Sequence, residues 1–365
     1  MAKKPFITKL AIEGFKSIRK QEIELRPINV LIGANGSGKS NLLSFFRLLS
    51  QMARGNFQLH VAQQGGADAL LHFGSKTTRR IEAAIEFRDG SYKLALEPTA
   101  NDNLVIAEET LLPVSTVKEG ESPRESILRM ALDQPWSYGE EVRAFAEEVS
   151  RWVVYHVNDT SETSRITKII SINDNEYLRG DGENLAPILY RWTQESDETR
   201  ICYAKLRDVV WLVTSFFEAF RLQPMPENPT CIQLQWKQRG SDYPFAGSQL
   251  SDPVQRFICL AAALLQPNPP SVILIDEAEL GLHPYALEIF ACLVKKASFV
   301  TQVVLATQSR RLVDCFEPED LVVVDRENGE SVFSRPDPER LKGWLEEHSL
   351  GEIWEMNIIE GRPHG

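Results

Sequence analysis

Apolar and polar residues alternate along ITKLAIEGF (7–15) and the short EIEL (22–25), whereas PINVLI (27–32) is a compact apolar run. The first two patterns predict strands, and the third a strand buried on both faces. In NLLSFFRLLSQMA (41–53), Leu42, Leu43, Phe46, Leu49 and Met52 recur at helical spacing, which predicts an amphipathic helix. IEAAIEF (81–87), the turn dipeptide Asp89-Gly90 and SYKLALE (91–97) read as a hairpin. From 98 to 240 the pattern is irregular, with helical stretches around 139–151 and 184–221. This middle reads as an insertion on a core made from both chain ends. The last third sharpens again: PPSVILIDEAELGLHP is a buried strand ending in acids, ALEIFACLVKKA an amphipathic helix, and QVVLATQS and DLVVVD further apolar strands. Strands alternating with helices predict an α/β fold with a mostly parallel sheet covered on both faces. The expected domains are an N-terminal lobe with a β subdomain (1–97), a largely helical insertion (98–240) and a C-terminal lobe (241–365). In the tail, Trp344, Leu345, Leu350, Ile353 and Trp354 predict a helical core patch.

Chemistry enters between the buried strand and the first helix. Gly33-Ala-Asn35-Gly36-Ser37-Gly38-Lys39-Ser40 matches the eight-position phosphate loop, with a strand before it and a helix after. Its glycines let successive backbone N–H groups turn toward an anion, and the helix adds its positive end. Lys39 can reach the β and γ phosphates of a nucleotide, and the Ser40 hydroxyl can bind Mg²⁺. Such a loop needs an acidic partner at the tip of another strand, and SVILIDEAE supplies Asp276 and Glu277 after an apolar run. Asp276 would hold the Mg²⁺ shell, and Glu277 would polarise the attacking water as general base. Asp276 comes 237 residues after Lys39, a gap that sets the chain apart from small GTPases and kinases.

Composition narrows the classes. At 43% hydrophobic and 25% charged, 365 residues form an ordinary globular chain with room for a sizeable core. The longest apolar run, Phe257 to Leu265, is far too short to span a bilayer. The start shows no apolar stretch or cleavage site, so a cytoplasmic setting is expected. Five dispersed cysteines argue against a disulfide scaffold; Cys259 and Cys292 sit in apolar helical runs and read as buried thiols. His60, His72, His156, His283, His348 and His364 show no paired metal spacing. Net charge is −11, which argues against broad nucleic-acid binding, yet residues 1–54 hold ten Lys or Arg against three acids. That basic portion could face a phosphate-rich ligand, either nucleotide or DNA.

With these residues in place, the chain resembles the ABC-type ATPase heads of the SMC and RecF class. In particular it resembles compact bacterial AAA-family ATPases similar to OLD-family ATPase domains without the Toprim nuclease. FKSI (15–18), GANGSGKSNLL (33–43), QLSDPVQRFICLAAALLQPNPPSVILIDEAELGLHP (249–284), LATQS (305–309) and the tail WLEEHSLGEIWEMNIIEGRP carry the likeness. Weaker support comes from GGADALLHFG, VYHVNDTS and LRGDGENLAPILY. The 40 residues after Asp325 are too few for a Toprim domain, and the middle lacks the sustained heptads of a coiled-coil arm.

The resemblance implies a P-loop NTPase of ABC/SMC-head type with ATP and Mg²⁺ as cofactors and two subunits sandwiching the nucleotide. On it, Ser251 in LSDPVQR stands as the signature serine that reaches the partner's γ-phosphate. Asp252 and Pro253 stand where the family pattern has glycines. ELGLHP falls at the D-loop, where His283 is either an interface or a structural residue. Gln308 stands where many relatives carry a switch histidine; a glutamine orients water but does not titrate, so slow turnover is expected. Lys16 and Ser17 in FKSI are expected near the base or ribose, and Gln63 and Gln64 both remain candidates for the Q-loop glutamine. The implied function is a switch that closes as a homodimer or higher assembly around Mg-ATP and acts on DNA or a separate effector protein, in DNA repair or phage defence. The rival reading is a non-catalytic interaction protein with a structural nucleotide.

Overall fold

The computed structural model describes residues 6–88, 90–112, 115–117, 125–134, 136–157 and 165–359. It forms two compact units, one from Met1–Trp152, Pro270–Val272 and Val304–Gly365, the other from Val153–Pro269 and Ile273–Val303.

The first unit opens with β1 (Ile7–Phe15), β2 (Ile18–Glu24) and β3 (Ile28–Ile32). β1 puts Leu10 and Ile12 inward by period-two alternation, with Ile7 also buried across a register shift between Ile7 and Lys9, and all five residues of β3 are buried. After the glycine loop come α1 (Lys39–Ala53), α2 (Phe57–Gln63) and α3 (Ala67–Leu70). Leu42, Phe45, Phe46, Leu49 and Met52 form the buried face of α1. β4 (Ile81–Phe87) and β5 (Gly90–Pro98) make the expected hairpin, with Phe87 opposite Gly90. Asp89, half of the expected turn, lies outside the described residues. β6 (Leu104–Leu112) and β7 (Ser115–Val117) complete an antiparallel sheet of order β2-β1-β4-β5-β6-β7.

Helices α4 (Ile127–Asp133) and α5 (Glu140–Ser150) pack with α1. Their junction holds a ring ladder, with centroids of Phe15, Phe45, Phe46, Trp152 and Phe145 successively 5.5, 6.4, 5.6 and 6.4 Å apart. α4 begins on a buried carboxylate. Glu109 of β6 accepts from Tyr92 Oη (2.7 Å), Ser126 Oγ (2.5 Å) and the Ile127 amide (2.9 Å). Burial pushes its pKa up, and these three donors oppose that shift.

The second unit contains β8 (Val153–Tyr155), β9 (Ile170–Ser171), α6 (Leu185–Gln194) and α7 (Asp197–Val213). It continues with β10 (Phe217–Arg221), β11 (Pro224–Met225), β12 (Asn228–Ile232), β13 (Gln235–Gln238) and β14 (Pro244–Ala246). α8 (Asp252–Leu265), β15 (Val272–Asp276) and α9 (Pro284–Ala297) follow. The helical stretch expected over 184–221 is therefore three elements. A capping box between Ser196 and Thr199 starts a new helix, and the alternating Phe217-Glu-Ala-Phe-Arg221 pairs with β13 as a strand. α8 packs between α7 and α9, which explains why ten of its residues are buried. Within this unit β8 runs parallel to β15.

The chain returns to the first unit through β16 (Gln302–Thr307), buried at every position, and α10 (Arg310–Val313). β17 (Leu321–Glu327) lies parallel to β3 and antiparallel to β18 (Glu330–Ser334). α11 (Pro338–Leu345) and α12 (Leu350–Glu355) end the described chain. Parallel pairing beside a separate antiparallel sheet is the α/β organisation expected.

Two burial expectations are corrected. Cys259 is buried, and burial pushes its thiol up to about 12, but Cys292 is exposed. The buried face of α9 is carried by Leu287, Phe290, Ala291 and Val294, and Cys292 falls on the opposite side. In the tail, Leu350, Ile353 and Trp354 are buried as expected, whereas Trp344 and Leu345 are exposed. Among the described residues, no helix is long and apolar enough to cross a membrane.

Candidate nucleotide site

The phosphate loop leaves β3 and enters α1 with Gly38 as the helix N-cap. Gly33 has φ 155° and Gly38 φ 115°. A Cβ at Gly33 would lie 2.1 Å from the Val324 carbonyl oxygen, and one at Gly38 would lie 2.0 Å from Ser331 Oγ. The loop is thus pressed against β17 and β18, and only glycine fits there.

A one-way hydrogen-bond relay underlies it. Asn41 Nδ2 donates to Ser17 Oγ (2.6 Å), Ser17 Oγ bonds Ser331 Oγ (2.6 Å), and Ser331 Oγ donates to the Ser37 carbonyl (2.5 Å). Arg326 Nη1 adds a donation to the Gly36 carbonyl at 3.3 Å. Ser331 and Arg326 escaped the sequence reading, because nothing in the sequence ties a loop at 33–40 to a hairpin near 330; Ser17 is read there only as a neighbour of the base or ribose, not as part of this relay.

Carbonyls of the loop are therefore engaged from below, while its donors face outward. Among the described residues, no acceptor takes the amides of Asn35, Gly36 and Gly38. Ser37 Oγ is buried without a hydrogen-bond partner. Lys39 is buried and donates to the carbonyls of Gly33 (2.7 Å) and Ala34 (2.8 Å). A cation folded over unclaimed donors is a cradle for a chain of phosphates. Ser40 is exposed at the start of α1, where a hydroxyl can reach a cation shared with phosphate.

A rim of strained residues adjoins the loop. Lys16 (φ 47°) and Phe73 (φ 55°) are both left-handed, a conformation that is uncommon for non-glycine residues and an outlier for a bulky one. Lys16 N donates to the Leu70 carbonyl (2.8 Å), and His72 Nδ1 contacts the Lys16 carbonyl (2.7 Å). Lys16 Nζ donates to Gln64 Oε1 at 3.1 Å, while Gln63 is exposed. Of the two glutamines left open by the sequence, Gln64 is the one paired with this lysine. Burial, then Arg47, lowers the Lys16 ammonium; burial, then Arg47 and Lys16, lowers His60 to about 4. Phe73 is 62% exposed with its ring against His72. Gln308, at the end of β16 in the same unit, is exposed.

The second unit holds the other candidates. Ser251 is the N-cap residue of α8 and Pro253 stands in its first turn, but the serine hydroxyl makes no capping bond and is exposed. The helix start is held instead by backbone, with Val254 and Gln255 amides on the Ser251 carbonyl at 2.9 and 3.0 Å. Arg256, on the next turn, is buried. It donates through Nε to the Val157 carbonyl (2.5 Å) and through Nη1 to the Leu280 carbonyl. Burial lowers its guanidinium against the opposing pull of Asp252 and Glu277. Helix α8 is in this way tied to the ELGLHP turn, whose Gly281 lies against Pro253.

Asp276 ends β15 with Oδ2 3.8 Å from His156 Nδ1. His156 belongs to the VYHVNDTS segment, of which residues 158–161 lie outside the described residues. Glu277 has φ 53°, a strained position for a glutamate and a frequent mark of functional turns. His283 takes a structural role as N-cap of α9, its Nδ1 accepting from the Tyr285 amide at 3.3 Å. His364 lies outside the described residues.

The chain is similar to known proteins in sequence and in fold. Residues 28–314 match the family described as "AAA domain, putative AbiEii toxin, Type IV TA system". The chain is 33% identical over 89 residues to the DNA replication and repair protein RecF of Acidothermus cellulolyticus, covering 23% of this chain and 24% of that protein. It is 29% identical over 182 residues to urease accessory protein 2 of Cryptococcus neoformans var. grubii, covering 48% and 13%. The chain therefore spans less than a quarter of either relative. Among solved structures, an Smc head bound to the C-winged helix domain of ScpA has a TM-score of 0.61 at 15% identity, covering 94% of this chain and all of that one. A Pyrococcus furiosus Smc head with an extended coiled coil, bound to the C-terminal domain of ScpA, has a TM-score of 0.57 at 17% identity, covering 94% and 99%. At such identities the likeness is one of fold. The family match runs through most of the sequence, and the chain belongs to this AAA-domain family with the fold of an ABC/SMC-type ATPase head.

Proposed function

We propose that the protein binds Mg-ATP, closes as a dimer around two nucleotides, and hydrolyses them slowly as a conformational switch. The observation that carries this reading is the asymmetry between two helix N-termini. The one at Lys39 is a built cradle with unclaimed donors, while the one at Ser251 presents a hydroxyl that its own helix does not use. A serine at a positive helix end is suited to a γ-phosphate supplied by another subunit.

In this scheme the amides of Asn35, Gly36 and Gly38 would hold the phosphates with Lys39, and Ser40 with Asp276 would hold Mg²⁺. The metal would neutralise phosphate charge as the γ-phosphoryl group leaves. Glu277 would accept the proton of the attacking water, and Gln308 would orient that water. Lys16 and Phe73 would meet the ribose and base. The segment 98–240 would pass the open or closed state to a partner protein. Smc heads bind ScpA domains by description, which makes a separate protein effector the preferred target; DNA, as for RecF, is the second. A setting in DNA repair rests on the name of the RecF relative, and one in phage defence on the family's description as a putative AbiEii toxin.

Mixing two inactive variants tests the composite site. Lys39→Ala and Ser251→Arg proteins should each be inactive, and mixing should restore activity toward about a quarter of wild type by random pairing. No recovery on mixing would overturn the shared site. A structural nucleotide is the second reading, favoured by Asp252, Pro253 and Gln308; it requires wild-type turnover no faster than that of Glu277→Gln.

A further inference from the structure

The tail motif has no part in the scheme above, yet it is fastened to the segment that carries Gln308. Gln308 lies between Thr307, whose Oγ1 accepts from the Ser309 amide (3.0 Å), and Ser309, whose Oγ accepts from the Leu312 amide (3.3 Å). The backbone of Gln308 is therefore set by where α10 begins. α10 has only four residues, and one helical turn does not hold itself in place in water. Leu312 and Val313 anchor its inner face.

Its outer face is held by α12. Arg310 donates from Nη2 to Glu352 Oε1 (2.6 Å) and from Nη1 to Glu355 Oε2 (2.7 Å), one guanidinium gripping two carboxylates a helical turn apart. The Gly351 amide donates to Asp314 Oδ1 at 2.6 Å. A Cβ on Gly351 would lie 2.5 Å from Arg310 Cγ and 2.6 Å from the Arg310 carbonyl oxygen, so α12 rests directly on the α10 backbone. The Ser349 amide, and then Arg310, hold the Glu352 carboxyl below its usual range. α12 itself is secured by buried Leu350, Ile353 and Trp354 and by the Ser349–Glu352 capping box. Half-exposed ion pairs add little to stability, so these pairs give position more than fold.

We propose that the C-terminal helix α12 is a latch on the switch segment, with Arg310 as a positioning residue that holds Gln308 where turnover needs it. This rests on the reading of the chain as an ATPase. Steady-state hydrolysis and deuterium uptake test it together, on the full chain carrying Arg310→Ala, Arg310→Lys, or Glu352→Gln with Glu355→Gln. Arg310→Ala and the double variant should each lower kcat about tenfold or more while KM for Mg-ATP stays within about twofold. Arg310→Lys should recover part of the loss. Uptake should rise over residues 305–313 and stay unchanged over 33–43. An unchanged kcat, or a KM that moves in step with faster uptake at 33–43, would overturn the latch. A wild-type protein without hydrolysis would remove the ATPase reading, and uptake alone would then decide: faster exchange confined to 305–313 upholds the latch, and unchanged exchange overturns it.

Discussion

The two helix N-termini at Lys39 and Ser251 use the same physics in opposite ways. Around Lys39, the loop is closed on the side facing β17 and β18: two glycines admit no side chain there, and a relay from Asn41 through Ser17 and Ser331 fixes the loop. Around Ser251, the helix is held from behind by Arg256, while its foremost hydroxyl is exposed and bonded to nothing in its own cap. A site complete within one chain resembles the first pattern; a surface meant to complete another molecule's site resembles the second. The difference teaches that exposure of a capping serine can be as informative as burial of a lysine.

The largest effects should come from breaking the closed end. Lys39→Ala removes the ammonium and should weaken Mg-ATP binding at least about 100-fold in calorimetry. Gly38→Ala should do the same and also destabilise the fold, because its Cβ would collide with Ser331. Binding within a few-fold of wild type in either variant would show that the cradle is not where the nucleotide sits.

At the open end, Ser251→Ala should behave in the reverse manner. With no capping bond to lose, it should shift stability by no more than about 0.5 kcal/mol while lowering turnover by about 100-fold. A large stability loss would reveal a hidden cap and return Ser251 to a structural role.

Strain at the acid pair gives a sharper contrast. Glu277→Gly releases the left-handed backbone and should raise stability by up to about 1 kcal/mol in urea unfolding, even as hydrolysis disappears. Loss of both would mean that Glu277 is held there by contacts that stabilise the fold.

The effect that lies furthest from turnover concerns pH. His60 is neutral in the fold, its pKa lowered by burial, Arg47 and Lys16 to about 4 from 6.5. The unfolded chain takes up a proton first, so stability present above pH 6.5 should fall as pH drops from 6.5 toward 4, by about 2–3 kcal/mol. His60→Gln should flatten that limb; an unaltered acid limb would assign it to other groups.

Much of this was legible in the residues. Alternation located β1, compact apolar runs β3, β15, β16 and β17, helical spacing α1 and α9, and the eight-position loop the turn from β3 into α1. Local pattern failed where neighbours in space decide. Phe217–Arg221 becomes a strand only because β13 lies beside it. Cys292 is exposed because a run of apolar letters does not say which face of α9 is covered. Ser17 and Arg256 stand in segments that carry the family resemblance and Ser331 in none, yet the bonds that the three make arise only from chain segments brought together by folding. Gln64 separates from Gln63 only through the lysine that it meets.

The most direct test of the central claim is the solution mass of Glu277→Gln by light scattering, with and without Mg-ATP. This substitution should slow hydrolysis and leave binding intact, which traps the closed form. The account predicts that mass doubles when Mg-ATP is added and that Ser251→Arg in the same background prevents the doubling. A mass unchanged by nucleotide would contradict it, and would place the structural-nucleotide reading ahead.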